Sequence, residues 1–351
     1  MDRNWSDMNR EMQALISKKA TFKDGISKLL ELRKSLFEQI TQIVNTFPEE
    51  AFYQMPYAGA EGYHSKTLAY SIWHIFRIED IVAHEMIAED QQVLFSRGFH
   101  EAIHSPIITT GNELSGDEIA DFSRQLDVKE LYRYAQEVMR STEGILTSLE
   151  YPDLKRKFGE DMIGKLKRSG CVSNAESAAW LIEYWCGKDV QGLIRMPFSR
   201  HWIMHIEAMQ RIKNRLCKLA RKGVDPIAYC GFSCNHCFLS EFCGSCRTAY
   251  NTCSFALVSP DGKCPNAVCC QRKGIDGCYE CDQLGTCEKG FYIPSNDGAN
   301  AARAQAMYIR KHGKKEFLKV HDRLHEKYDF AKTQEILGQD WQEGLRILEE
   351  C

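Results

Sequence analysis

A chain of 351 residues is long enough for two domains, and 44% hydrophobic against 26% charged residues gives it a core to bury and a wet surface. A formal net charge of −3 excludes a global field that would draw it to nucleic acid or to an anionic membrane. The opening MDRNWSDMNREMQ is too polar for a secretory signal and no run of about 18 apolar residues occurs, so a cytoplasmic protein without a membrane or nucleic-acid partner is expected. In a reducing compartment, clustered cysteines point to metal or redox work before disulfides.

Apolar residues at three- and four-residue steps predict helices over residues 26–47, 68–86, 128–149, 175–191 and 199–219. Asp127 with Glu130 and Ser173 with Glu176 have the spacing of capping boxes, in which the side chains satisfy the first free N–H groups of a helix. Between residues 89 and 127 the pattern lapses into Gly, Ser, Pro and Asn and predicts a long crossover connection. Gly223 can end the last helix and Pro226 prevents its continuation, so residues 223–227 read as a linker. Helical periodicity returns from Ala299 to Cys351. The expected fold class is mainly α: a four-helix bundle with extra helices over residues 1–223, a small irregular cysteine-rich module over 228–292, and a helical tail over 293–351 packed on one of them.

His201 and His205, in SRHWIMHIEAM, stand four residues apart on the last bundle helix, so their rings leave one face a turn apart. Such a pair more often packs or faces solvent than binds metal, so a third donor is required. His74 supplies one. It sits mid-helix in TLAYSIWHIFRIED between Trp73 and Ile75, where an ionised imidazole is costly to bury. The bland alternative for His74 is a neutral core histidine with a hydrogen bond. A rival pair, His100 and His104, has the same spacing, but Gly98 and Pro106 leave little room for a helix. Three imidazoles with a vacant position form the pattern of a catalytic rather than a structural site, since the vacancy takes water or a thiolate. Arg77, Glu79 and Asp80 after His74, and Arg200 before His201, could orient the ligands or pair in the interior, although surface ion pairs are the commoner fate of such residues. Cys186 in IEYWCGKD reads as a buried structural cysteine before a reactive one.

WHIFRIED around His74 and RHWIMHIEAMQRI around His201 and His205 resemble the DinB/YfiT-like family over about residues 26–219. The resemblance implies a DinB-like bundle with one histidine on its second helix and an H-x3-H pair on its last, holding a divalent ion such as zinc, nickel or iron. Some relatives are thiol-dependent transferases, so the resemblance also implies a low-molecular-weight thiol or small-molecule substrate at the open position. Many members carry a further histidine after the pair; here Met209 stands one turn on.

Twelve of the 16 cysteines fall between Cys230 and Cys287. The pairs Cys234/Cys237, Cys243/Cys246 and Cys278/Cys281 have the C-x2-C spacing at which two thiolates from one tight turn reach the same ion, and Cys230, Cys253, Cys264, Cys269, Cys270 and Cys287 complete the set. A stretch so poor in aliphatic residues cannot offset its chain entropy by burial alone, and bound metal closes the gap. Zinc is the expected metal. An iron–sulfur cluster is the alternative, because Cys230, Cys234 and Cys237 form C-x3-C-x2-C, although the chain after Cys237 is too short for the barrel of a radical-SAM enzyme. Adjacent Cys269 and Cys270 are not expected to bind one ion together. The stretch is similar to a domain-of-unknown-function family that opens with CGxxCxxC, a resemblance that implies no activity. Residues 226–292 carry five basic and six acidic residues, which lacks the basic stripe of a nucleic-acid interface.

Two functions follow as expectations: a metal-dependent thiol transferase or hydrolase, or a metal- or redox-sensing protein without turnover. A homodimer is compatible with either.

Overall fold

The computed structural model describes residues 3–60, 64–240, 242–250, 253, 256, 259, 262–293 and 296–351. It is mainly helical: among the described residues no strand forms, and β pairing is confined to the isolated bridges Lys157↔Asp189 and Ile227↔Ser233. The chain divides into two compact units, Met1–Val44 with Glu49–Lys213 and Asn45–Pro48 with Asn214–Cys351. No helix of the described residues is long and apolar enough to cross a membrane.

The first unit is built on α1 (Arg3–Ile16), α2 (Phe22–Thr46) and α3 (Leu68–Asp80). The buried positions of α2 (Phe22, Ile26, Leu29, Leu36, Ile40 and Ile43 among them) recur at three- and four-residue steps, so one face enters the core. Helix α3 differs, because all 13 of its residues are buried. Thr67 starts it by accepting the Tyr70 N–H at 3.0 Å, and it runs on as a π-helical stretch, Ile81–Ala88. After α3 come α4 (Val93–Ser96), α5 (Phe99–Ala102), α6 (Asp117–Gln125) and α7 (Val128–Ser148), the last packed along α3. Then follow α8 (Glu160–Ser169), α9 (Glu176–Cys186), α10 (Val190–Arg195) and α11 (His201–Ala220). A second π-helical stretch, Met196–Arg200, leads into α11, whose last turns belong to the second unit.

Several sequence expectations are corrected here. Residues 175–191 are two helices: α9 stops before Gly187, and Asp189 opens α10 by accepting the Gly192 N–H at 2.8 Å. Ser173 caps neither. Its hydroxyl accepts the Ala175 N–H at 3.2 Å, one residue ahead of the helix, whereas Asp127 does cap α7 with bonds of 2.9 and 3.0 Å from Lys129 and Glu130. The expected irregular connection over 89–127 contains α4, α5 and α6, the last two entered through Gly98 and Gly116 at positive φ. Glycine and serine there mark helix starts as well as turns.

In the second unit, α12 (Pro265–Lys273) lies within the cysteine-rich stretch, and α13 (Asp297–His312), α14 (Lys314–Lys327), α15 (Phe330–Gly338) and α16 (Trp341–Glu350) form the tail. The tail and the cysteine-rich stretch share one core: Ala301, Ala302 and Ala306 of α13, with Phe317, Leu324 and Leu348, enclose Cys278, Tyr279 and Tyr292. Alanines on α13 let α15 and α16 approach closely. A Cβ on Gly344 would come within 2.3 Å of the Leu337 carbonyl oxygen, and one on Gly338 would meet that of Asp297 at the same distance. Arg303 fastens the loop before Cys287 by donating to the carbonyls of Leu284, Gly285 and Cys287 at 2.6–2.7 Å.

Candidate metal centre

His74 of α3 and His201 and His205 of α11 converge. Among the described residues they are the one set of three or more His, Cys, Asp or Glu donors whose ligand atoms all lie within 4.8 Å of one another. Ring centroids are 5.1 Å apart for His74 and His201, 4.7 Å for His74 and His205, and 4.4 Å for His201 and His205. The four-residue step on α11 places two rings on one face, and burial of α3 on every side brings the third against them. All three are buried, with exposures of 5%, 7% and 3%.

Burial holds the His74 imidazole at a pKa of about 4 and pushes His201 and His205 well below the ordinary value, with the neighbouring imidazoles adding to the effect. Neutral rings are the form a metal ion requires. Nδ1 of His74 donates to the Thr110 carbonyl at 2.8 Å, which fixes the tautomer and leaves Nε2 with a free lone pair. Nδ1 of His201 is buried without a hydrogen-bond partner, a costly state that an ion or an ordered water relieves. The donor set therefore fits a divalent ion.

The acidic and basic residues after His74 are interior. Arg33 of α2 forms a two-pronged pair with Glu79 at 2.7 and 2.8 Å, and the Trp202 indole donates to the same carboxylate at 2.8 Å. Trp202 lies beside His201 in sequence, so this pair orients the helix that carries two donors. Arg77 donates to the Ile108 carbonyl and pairs with Asp80 at 3.3 Å, while Asp80 accepts the N–H groups of Val93 and Leu94 at 2.8 and 2.9 Å. Trp73 donates to the Thr109 carbonyl at 3.1 Å, so α3 grips three successive carbonyls, 108–110, with Trp73, His74 and Arg77. These residues correct the expectation of surface ion pairs. Arg200 is exposed. His100 lies within the one-turn helix α5 and exposed His104 follows it at φ 59°, so the rival pair shares no helix face. Cys186 is buried, and burial raises its thiol pKa.

The twelve clustered cysteines divide between two cavities. The larger, of about 130 Å³, is lined by Cys230, Cys234 and Cys237 of the opening motif, by Cys243 and Cys246, and by Cys253 and Cys264. The smaller, of about 20 Å³, is lined by Cys269, Cys270, Cys278, Cys281 and Cys287, so the adjacent pair 269/270 faces one cavity. Burial pushes the thiols of Cys234 and Cys246 up to about 12 and 11. A hydrogen bond from Cys253 lowers the thiol pKa of Cys264, and one from Cys270 lowers that of Cys278.

Sequence reading missed two features. Half-buried Lys66, just before α3, acts electrostatically on His74 and His205, and only its place before the capping residue Thr67 could have signalled it. A second histidine group, His236 with His321 and His325 of α14, brings its rings to 4.2–5.5 Å. The H-x3-H spacing of 321 and 325 was legible; its partner in CNHC was not. The His236 and His325 rings stack nearly parallel, at 11°, and His236 is held by Asp322 at 2.7 Å, so these nitrogens do not converge as those of the first group do. Comparison of the chain with family models, with curated proteins and with solved structures found no match.

Proposed function

We propose that the first unit is a metal-dependent enzyme of the DinB/YfiT-like type, a thiol-dependent transferase or hydrolase in which His74, His201 and His205 hold a divalent zinc, nickel or iron ion. One observation carries this reading: three neutral, buried imidazoles whose donor atoms lie within 4.8 Å, one of them locked in its tautomer by a backbone carbonyl. A three-donor set leaves a coordination position for water or a thiol, and an ion there lowers the pKa of either toward neutrality. The residues around the donors have a positioning role. Thr110 holds the His74 ring, and the Arg33–Glu79–Trp202 group holds the start of α11. Lys66 adds positive charge near the donors, which favours an anionic thiolate or hydroxide there. The cysteine half completes the reading as a metal-stapled module.

The test is turnover by metal-loaded full-length protein offered a low-molecular-weight thiol and an electrophilic acceptor, or a hydrolysable amide or ester. The expected result is thiol- or water-dependent product formation that His205→Ala abolishes. Product formed equally well by His205→Ala would overturn the assignment.

The depth of the three rings favours a second reading, a metal-binding or sensing protein without turnover. In that case the ion binds and exchanges, no candidate substrate is converted, and the consequence of metal loading is a change in stability.

A further inference from the structure

We propose that the two thiol-lined cavities hold different metal groups: an iron–sulfur cluster in the larger, anchored by Cys230, Cys234 and Cys237, and a single zinc ion in the smaller, anchored by Cys270, Cys278 and Cys281. This rests on the reading of the cysteine half as metal-stapled and is independent of the histidine site.

Size separates the two. A lone tetrahedral zinc ion sits about 2.3 Å from each sulfur, which brings the sulfurs to about 3.8 Å from one another and leaves no void between them. Room for one water-sized guest amounts to about 10–15 Å³, so the smaller cavity, about 20 Å³, suits one small occupant. In it, Cys270 and Cys278 already stand 3.7 Å apart, the separation that zinc imposes. The larger cavity, about 130 Å³, suits a body of several atoms. A cluster of several iron atoms is such a body, held by thiolates that stand around it.

Position and surroundings agree. The C-x3-C-x2-C run leaves a tight turn in which the Ala228 N–H donates to the Phe232 carbonyl at 2.8 Å. The turn depends on Gly231, which has φ +96° and lies so close to α13 that a Cβ would come within 2.7 Å of that of Ala306. Phe232, Leu239, Phe291 and Phe330 give the cavity a largely apolar wall, a setting that tunes the potential of a cluster. The count is sufficient in both places: a cubane cluster takes four thiolates and a structural zinc ion takes four, from sets of seven and five.

The experiment is elemental and acid-labile sulfide analysis of the full-length protein purified without oxygen, with its visible spectrum, beside the same protein carrying His201→Ala. Sulfide and thiolate-to-iron absorbance arise only from a cluster, so they do not depend on what the histidines hold. The expected result is the same amount of labile sulfide in both proteins, matched by an equal amount of iron in His201→Ala, together with zinc that persists in His201→Ala. Cys234→Ser and Cys237→Ser should lose the iron and sulfide and keep that zinc, and Cys278→Ser and Cys281→Ser should do the reverse. Where a serine variant fails to fold, the unsubstituted protein decides. Zinc filling the cysteine half, with no sulfide even after reconstitution with ferrous iron and sulfide, would overturn the proposal.

Discussion

Glu79 has no exposed surface, and its carboxylate answers both Arg33 and Trp202. Removing one partner of such a pair strands a buried charge, so Glu79→Ala is expected to cost about 3–5 kcal/mol in urea unfolding. Arg133→Ala, which breaks an exposed pair with Glu130, should cost under about 1 kcal/mol in the same experiment. Equal losses would contradict the buried arrangement. His74 gives a pH dependence whose sign is fixed by linkage. Its folded-state pKa is about 4 and its ordinary value 6.5, so between these limits the unfolded chain binds a proton that the folded chain refuses. Stability of the metal-free protein should therefore fall as pH drops from 6.5 toward 4, with a smaller slope in His74→Gln. A melting temperature indifferent to pH across that window would contradict the burial of the ring.

At the scale of elements, α3 and α11 were legible because their signals are local. An apolar stretch around a lone histidine and a four-residue histidine step both follow from helix period. The partners of α3 were not legible. Its side chains bond to carbonyls at 108–110 and to Arg33, Gln92 and Tyr134, groups far away in sequence that no periodicity links to it. For the same reason Arg77, Glu79 and Asp80 read as surface charges. The Ser173 and Asp127 signals looked alike in sequence but differ in the fold, which a capping comparison can check. Asp127→Ala should cost about 1 kcal/mol, because it frees two N–H groups of α7, whereas Ser173→Ala should be near neutral. Urea unfolding of the two variants is the measurement, and equal costs would contradict the helix boundary at Glu176.

At the scale of the whole molecule, the mainly helical class and the cysteine-rich stretch were evident from periodicity and composition. The shared core of that stretch with the tail was not, since it is made largely of alanines on α13, which carry little hydrophobic signal, and of cysteines already claimed as ligands. The proposed metal groups lie in separate units, so the two units should melt separately. In His201→Ala, where only the metal proposed for the cysteine half would remain, a chelator is expected to lower one calorimetric transition and leave the other in place. Movement of both together would contradict the division.

The most direct test of the central claim is the metal content of the purified protein beside His74→Ala, His201→Ala and His205→Ala, each verified as folded by circular dichroism. The expected result is that every variant loses the same single ion while the metal of the cysteine half is unchanged. Identical metal content in all four proteins would show that the three imidazoles hold nothing together.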